Sequence, residues 1–325
     1  MNWAKRLWKR MTGSGLPMTR LLILNPASRG GRAVKAFNRM YPSLKEKYGQ
    51  FELHLTSSPL DATERVRHAL KHKECYQILV AGGDGTINEA VNGYFNERGK
   101  IIRKDVPLGV INLGTGGDFF KTLQAHNTSY EVAIQENCYR LVDCGCVTTG
   151  SESRKFLNIA SAGMAGDVLK SLKSSSFQRG SAAFFFHALK TLIGYEAPPV
   201  RIRLKEPNGQ WTALDDHLIN FFVCNGRFNG GGMNWAPEGN LEDGIFDIVL
   251  ISNVSKWKIA AQSGKVYAGK IAHMDGVKEM LATEVILEHS GDLSLELDGE
   301  IIEKGSRSDG EIKFSLDPGI FPLIL

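Results

Sequence analysis

The 325-residue sequence lacks any run of about eighteen apolar residues, the length a bilayer-spanning helix needs. The apolar segment from Ala182 to Ile193 is broken by His187 and Lys190. Cysteine is scarce: there are five, an odd number, and Cys144 and Cys146 are too isolated for a zinc site. No secretory signal is visible. A disulfide framework is therefore not expected, and the cysteines read as reduced thiols of a cytoplasmic protein, Cys144 as an unreactive one. Charge of one sign is also lacking. Lys and Arg number 39 against 35 Asp and Glu, a net of +4. That is too little to argue nucleic-acid binding. No internal repeat is apparent.

What basic charge there is gathers at the start. Lys5, Arg6, Lys9 and Arg10 lie among Trp3, Leu7, Trp8 and Met11, which would share one face of a helix. Residues 1–17 therefore read as a basic amphipathic leader. Such a leader suits an anionic lipid surface, giving peripheral membrane association, or a disordered or self-docked segment. The remaining length and the 42% hydrophobic content suit two soluble domains.

The chain is organised around Ala81-Gly82-Gly83-Asp84-Gly85-Thr86-Ile87-Asn88-Glu89. The apolar run Gln77 to Val80 precedes it and reads as a buried strand. Ile87, Ala90, Val91 and Tyr94 follow at helical spacing. The glycines thus mark a strand-to-helix turn, where backbone N–H groups and a helix N-terminus can meet an anion. Lacking Cβ atoms, they permit positive φ and close approach of phosphate oxygens. Asp84 would repel a bare phosphate, so its place here implies a divalent cation between them; the plainer alternative is a cap on its own helix.

Apolar strands at Leu21–Leu24, Phe51–Leu55, Ile78–Ala81 and Val106–Asn112 alternate with helices, among them Asp61–Lys71. This pattern predicts a parallel sheet over residues 18–137. Asn25, Thr56, Gly82 and Thr115 follow the ends of successive strands, the rim where open α/β sheets bind ligands. After Asn137 strands dominate: Arg140–Cys146, Phe156–Ala160, Val200–Leu204, Leu218–Asn225, Phe246–Ile251, Val285–Glu288 and Leu293–Leu297. Two helices are expected there, Ala182–Ile193 and Ser255–Tyr267, and a loop over Ser171–Gly180. Residues 138–309 thus read as an antiparallel β-sandwich domain.

Three turns of this second part carry chemistry. Gly230-Gly231-Gly232 implies close backbone approach or a flap. The acidic turn Glu238 to Gly244 could hold a hard divalent ion or simply be solvated. Asp298-Gly299-Glu300 ends a strand; Asp298, with open space beside Gly299, could accept a proton from a hydroxyl, or the turn could be an ordinary hairpin. On the first reading, removal of Asp298 is expected to leave thermal stability unchanged.

Taken in order, Asn25-Pro26, Gly82 to Glu89, Leu113-Gly114-Thr115 with Asp118-Phe119, Val142-Asp143-Cys144-Gly145, Asn158 with Ser161-Ala162-Gly163, Asn225-Gly226, Gly231-Gly232, Asp243-Gly244 and Asp298-Gly299-Glu300 resemble the diacylglycerol kinase catalytic family. The likeness is to its bacterial lipid kinase branch, related to sphingosine and ceramide kinases, and covers roughly Met18 to Leu325. The glycine-rich turn alone is shared with NAD kinases and phosphofructokinases; the ordered set is specific.

The resemblance implies an α/β nucleotide-binding domain, Rossmann-like and phosphofructokinase-like, followed by a β-sandwich, with residues 310–325 returning to the first domain. It implies ATP and Mg2+. Asn25, Thr56, Gly82, Gly83, Asp84, Gly85, Thr86, Ile87, Asn88 and Thr115 match nucleotide-contacting positions. Asp84 matches the carboxylate near the ATP-bound magnesium. Asn240, Asp243 and Ile245 match a structural magnesium site, with Asn240 and Ile245 using backbone carbonyls. Asp298 and Glu300 match the catalytic acidic pair. Gly117 stands where the family usually has Asn, which bears on nucleotide preference.

The expected activity is phosphorylation of a hydroxyl of a membrane lipid such as diacylglycerol, in phospholipid metabolism, with acyl chains near Phe184–Leu192. The alternatives are an NAD kinase-like or other small-molecule kinase, or a non-catalytic nucleotide-binding module. The partners are a lipid substrate and a membrane surface, without nucleic acid; a homodimer is left open.

Overall fold

The structure is a computed structural model describing residues 19–112, 117–126, 129–174, 180–252, 254–302 and 310–325. The leader, Thr115 with most of its glycine-rich turn, and residues 175–179 of the expected loop lie outside the described residues, as do the side chains of Phe184 and Phe185.

The first part follows the alternation of the sequence. Its order is β1 (Thr19–Leu24), the single turn α1 (Ser28–Gly31), α2 (Ala33–Tyr48), β2 (Phe51–Leu55), α3 (Asp61–Lys71), β3 (Cys75–Ala81), α4 (Asp84–Gly93) and β4 (Leu108–Val110). Two helices, α5 (Asp118–His126) and α6 (Tyr130–Glu136), close it. The strands pair in parallel in the order β2-β1-β3-β4. Leu21–Leu24 and Ile78–Ala81 are buried throughout because helices cover both faces of the central strands. Ile87, Ala90, Val91 and Tyr94 all pack into this core, as their spacing predicts.

The second part is antiparallel. It contains β5 (Arg140–Thr149), β6 (Glu152–Phe156), β7 (Ile159–Gly163), α7 (Met164–Lys173), α8 (Gly180–Gly194), β8 (Pro199–Lys205) and β9 (Trp211–Cys224). A short hairpin of β10 (Phe228–Asn229) and β11 (Met233–Asn234) follows, then β12 (Phe246–Ser252), α9 (Lys256–Tyr267), β13 (Val277–Ala282) and β14 (Glu284–His289). The chain ends with β15 (Leu295–Leu297), β16 (Glu300–Ile302) and β17 (Gly310–Leu323).

The long strand β9 belongs to both layers of the sandwich. Its first half pairs with β8, and its second half pairs with β7 and β12. Alternation along it divides the packing. Phe221 and Val223 enter the sandwich core with Phe156, Ile202, Phe246 and Phe314. Phe222 and Cys224 face the other way, into a separate core under α8 and α9. Strand β17 pairs with β5 and β14, and its last residue Leu323 pairs in parallel with Leu108 of β4. An α/β domain is thus followed by a β-sandwich, joined edge to edge.

Three expectations need correction. Phe156–Ala160 is not one strand: β6 ends at Phe156 and β7 begins at Ile159, because the intervening N–H groups turn onto Asp298. The expected loop Ser171–Gly180 begins as helix: α7 runs to Lys173, anchored by the buried Val168. Strand β13 was not expected; it is an edge with exposed charges and Leu281 at 49% exposure, so it shows little apolar alternation. Among the described residues no helix is long and apolar enough to cross a membrane.

Candidate active site

Strand β3 stops at Ala81 and α4 begins at Asp84, with Gly83 as an extended N-cap at φ −93° and ψ 179°. Gly82, Gly83 and Gly85 do not use the positive φ open to them. Space is what two of them supply. A Cβ on Gly82 would lie 2.7 Å from Thr86 Cβ, and one on Gly85 would lie 2.1 Å from Glu300 Oε1. Gly83 opens to free space. Asn25, at the end of β1, donates from Nδ2 to Thr86 Oγ1 at 3.0 Å. Thr56, at the end of β2, ties its N–H to the Leu24 carbonyl at 3.0 Å. These polar strand ends therefore share one rim with the start of α4.

Asp84 does not cap its own helix. Its carboxylate accepts from the N–H groups of Asp118 and Phe119 at 3.1 and 3.2 Å, and so caps α5. Burial, with the Asp118 carboxylate beside it, pushes its pKa up to about 7, against the two N–H bonds; Asp298 adds to the rise. Asp118 in turn accepts from the Gly231 N–H at 2.7 Å and from Lys121 Nζ at 2.9 Å. Gly230, Gly231 and Gly232 have φ of 68°, 86° and 103°, a run only glycine takes without strain. The triple glycine lets the second domain close onto the first.

Ile87 and Asn88 face away from the rim. Ile87 is in the core. Asn88 is fully buried and bridges the domains, donating to the Lys155 carbonyl and to Asp298 Oδ2, both at 2.9 Å, while its Oδ1 accepts from Arg154 Nε at 2.7 Å.

Asp298 is itself buried, 5% exposed, while the space beside Gly299 is open but for Asp84 Cβ, which a Cβ there would meet at 3.8 Å. Its carboxylate accepts from Asn88 Nδ2 and from the N–H groups of Leu157, Asn158 and Ile159, at 2.9 to 3.2 Å. Burial raises its pKa and these four bonds lower it. Asp298 and Gly299 both have positive φ, 48° and 84°, which turns the chain sharply toward Glu300. Glu300 is partly exposed and lies against Gly85. The Asp298–Glu300 turn and the glycine-rich turn thus meet, Gly299 standing beside Asp84.

Glu296, two residues earlier, was not singled out from sequence. It has no signal of its own in the sequence, since in Leu-Ser-Leu-Glu-Leu it falls at a polar position of an alternating strand. It is 1% exposed and accepts from Ser161 Oγ at 2.6 Å, the Gly299 N–H at 2.6 Å and Asn229 Nδ2 at 3.0 Å. Burial pushes its pKa up from 4.5 to about 7, against those bonds. The folded value exceeds the unfolded one. The stability tied to its proton is complete below about 4.5 and lost as pH rises through about 7. Glu296→Gln is therefore expected to melt higher than the wild type at pH 8, with the gap closing by pH 5. Thermal melts across that range check it; a gap independent of pH would refute it.

The expected metal turn lies elsewhere. Asp243 is exposed and its Oδ1 accepts from the Ile245 N–H at 3.0 Å; Asn240 Oδ1 accepts from the Glu242 N–H at 3.2 Å. Behind them Asp143, 1% exposed, holds the Gly244 and Gly319 N–H groups at 2.7 and 2.8 Å. Asp143 lay within a quoted motif but had no role assigned. Among the described residues no three His, Cys, Asp or Glu side chains converge to hold a metal. A cation at this turn would depend on Asp243 and backbone carbonyls, a donor set that suits magnesium or calcium rather than zinc.

An apolar cavity of about 100 Å³ lies between the outer face of β9 and helices α7, α8 and α9. Val168, Leu192, Phe222, Met233 and Val266 line it, and Glu296 is its only charged lining residue among those described.

Two parts meet here: a glycine-lined acidic cleft at the α/β rim, and an apolar cavity on the sandwich side. That defines a two-domain protein, α/β then β-sandwich, with its candidate site where the two adjoin. The family described as diacylglycerol kinase catalytic domain matches residues 19–146, and the one described as YegS C-terminal NAD kinase beta sandwich-like domain matches residues 158–323. The chain therefore belongs to the bacterial diacylglycerol kinase and YegS family of lipid kinases. It is 27% identical over 290 residues to a diacylglycerol kinase of Bacillus subtilis (strain 168), covering 86% of this chain and 88% of that one. It is 20% identical to sphingosine kinase 1 of Arabidopsis thaliana, covering 94% and 73%. Its fold is similar to that of a diacylglycerol kinase from Bacillus anthracis (strain Sterne), with a TM-score of 0.61 at 20% identity, covering 94% and 96%.

Proposed function

We propose that this chain is an ATP- and magnesium-dependent lipid kinase that phosphorylates a hydroxyl of a membrane lipid such as diacylglycerol. The observation that carries the reading is one strand, β15. It presents Glu296 to an apolar cavity and, two residues on, Asp298 at the turn touching the glycine-rich loop. An NAD kinase-like acceptor would need a polar pocket instead.

The start of α4, with Gly82 to Thr86, would receive the nucleotide phosphates through backbone N–H groups and the helix dipole. Asn25, Thr56 and Thr115 would flank the nucleotide. Asp84 would hold magnesium: a carboxylate beside a second one, with its pKa raised to about 7, suits a cation partner. Magnesium there would neutralise charge on the transferring phosphate. Asp298 would accept the lipid hydroxyl proton, and doing so weakens one of its four N–H bonds. Glu300 would orient the approach across Gly85. The acyl chains would enter the cavity. Trp257, Ile193 and Phe186, 77%, 62% and 55% exposed on α9 and α8, would meet the bilayer together with the basic leader.

Purified protein with γ-labelled ATP and dispersed diacylglycerol tests this. Label should enter the lipid, stop with EDTA and resume with magnesium. Asp243 and its neighbours would serve structure in this reading. Asp243→Ala should melt a few degrees earlier in magnesium and lose the magnesium dependence of its melting temperature. Undiminished magnesium stabilisation in that variant would remove the second metal site.

A further inference from the structure

Asp84 of the first domain and the Asp298 turn of the second are joined by a closed path of hydrogen bonds and short stretches of backbone. The path starts at the Asp84 carboxylate, which holds the N–H groups of Asp118 and Phe119. Asp118 Oδ2 accepts from the Gly231 N–H at 2.7 Å. One residue earlier, the Gly230 N–H donates to Asn229 Oδ1 at 2.6 Å. Asn229 Nδ2 donates to Glu296, at 3.0 Å to Oε2 and 3.3 Å to Oε1. Glu296 Oε1 accepts from the Gly299 N–H at 2.6 Å. Gly299 follows Asp298 and stands beside Asp84, so the path returns to its start.

Glu296 and Asn229 are the members of this path that lie on the wall of the apolar cavity. A carboxylate 1% exposed against such a wall is costly to bury, and the bonds it makes must offset that cost. What it holds is a strained turn. Asp298 has φ 48° and Gly299 φ 84°, and a non-glycine residue keeps such a φ where its surroundings impose it. The Asp298 N–H is tied to the Ile159 carbonyl at 3.0 Å on one side, and the Gly299 N–H to Glu296 on the other. Ser161, opposite Glu296 in the sheet register, donates to its Oε2 at 2.6 Å and fixes the carboxylate plane. Asn158 Nδ2 ties the hairpin to the turn's other side through the Phe228 carbonyl at 2.7 Å, so loss of Glu296 would loosen the turn without releasing the hairpin.

Transfer of a group between two bound molecules is sensitive to placement, and an error of about 1 Å can cost about 100-fold in rate. Here the two carboxylates that must be placed stand on different domains. We propose that Glu296 and Asn229 form a positioning pair that sets the separation of Asp84 and Asp298, by locking the Asp298 turn to the hairpin that docks on Asp118. This rests on the lipid kinase reading above and gives a role to two residues that reading leaves without one.

The test uses the full chain, labelled ATP, magnesium and dispersed dioleoylglycerol, at a temperature where every variant is folded. Glu296→Leu suits the cavity wall and removes the acceptor. Glu296→Gln keeps Oε1 as acceptor for both Gly299 and Asn229. Glu296→Leu should lower kcat by about 10- to 100-fold, with KM for ATP within about twofold of wild type. Glu296→Gln should restore most of that loss. Asn229→Ala should lower kcat by about tenfold, and the double variant with Glu296→Leu should be no worse than Glu296→Leu alone, because the two act as one unit. Unchanged kcat in Glu296→Leu would overturn the pair, and so would a loss in Glu296→Gln as large as in Glu296→Leu. Additive losses in the double variant would also overturn it. Each of those results leaves the lipid kinase reading standing. A wild type that labels no lipid would remove that reading, and the pair's role with it.

Discussion

Asp84→Asn is expected to lower kcat by about 10³-fold or more while the protein stays folded, since charge stabilisation supplies most of the catalysis in phosphoryl transfer. The substitution is nearly isosteric. It removes the one carboxylate that stands in the glycine-rich turn, caps α5 and neighbours Gly299. The variant should retain its circular dichroism and a cooperative melt, because the amide oxygen still accepts one of the two α5 N–H bonds. Its affinity for ATP without magnesium should change little, and the gain in affinity on adding magnesium should vanish. Single-turnover rates with and without magnesium separate these effects. Near-wild-type turnover would remove Asp84 from the metal and from the mechanism.

Asp298→Ala is expected to cost both activity and stability. Loss of a proton acceptor lowers rates by about 10²–10⁴-fold. The structure adds a second effect. Removing the carboxylate strands buried donors at Asn88, Leu157, Asn158 and Ile159. Each unsatisfied donor costs about 1–3 kcal/mol, and neighbours do not add fully, so a loss of about 3–5 kcal/mol follows. Denaturant melts measure that loss, and ATP binding at low temperature shows whether the nucleotide site survives. Full stability with lost turnover would show that those N–H groups find other partners. Full turnover with lost stability would make Asp298 a structural residue only.

That second effect was illegible in the sequence for a definite reason. Residues 156 to 160 are apolar but for Asn158, so the segment reads as one strand. The break at Leu157 and Asn158 is imposed by a carboxylate about 140 positions later, a contact no local pattern encodes. The α/β part was legible because each central strand is a short apolar run ending in polar turn residues, and Leu21 to Leu24 are indeed buried to a residue. At β2 the same reasoning found the strand but not its surroundings: Leu53 and Leu55 are 39% and 49% exposed, since β2 is the sheet edge. The glycine-rich turn was legible as a turn, whereas the need for Gly85 came from Glu300, far away in sequence. Glu296 and Asn229 could be found only once the strands were laid side by side, because what distinguishes them is the bond they share on the cavity wall.

The central claim is that this cleft moves a phosphoryl group from ATP to a lipid hydroxyl. Incubating the purified protein with γ-labelled ATP, magnesium and a total bacterial lipid extract, then identifying every labelled product by mass, tests it most directly. The account predicts label in a chloroform-soluble lipid heavier than its parent by one phosphoryl group, absent with Asp84→Asn. Label found only in inorganic phosphate or in a water-soluble nucleotide would contradict it.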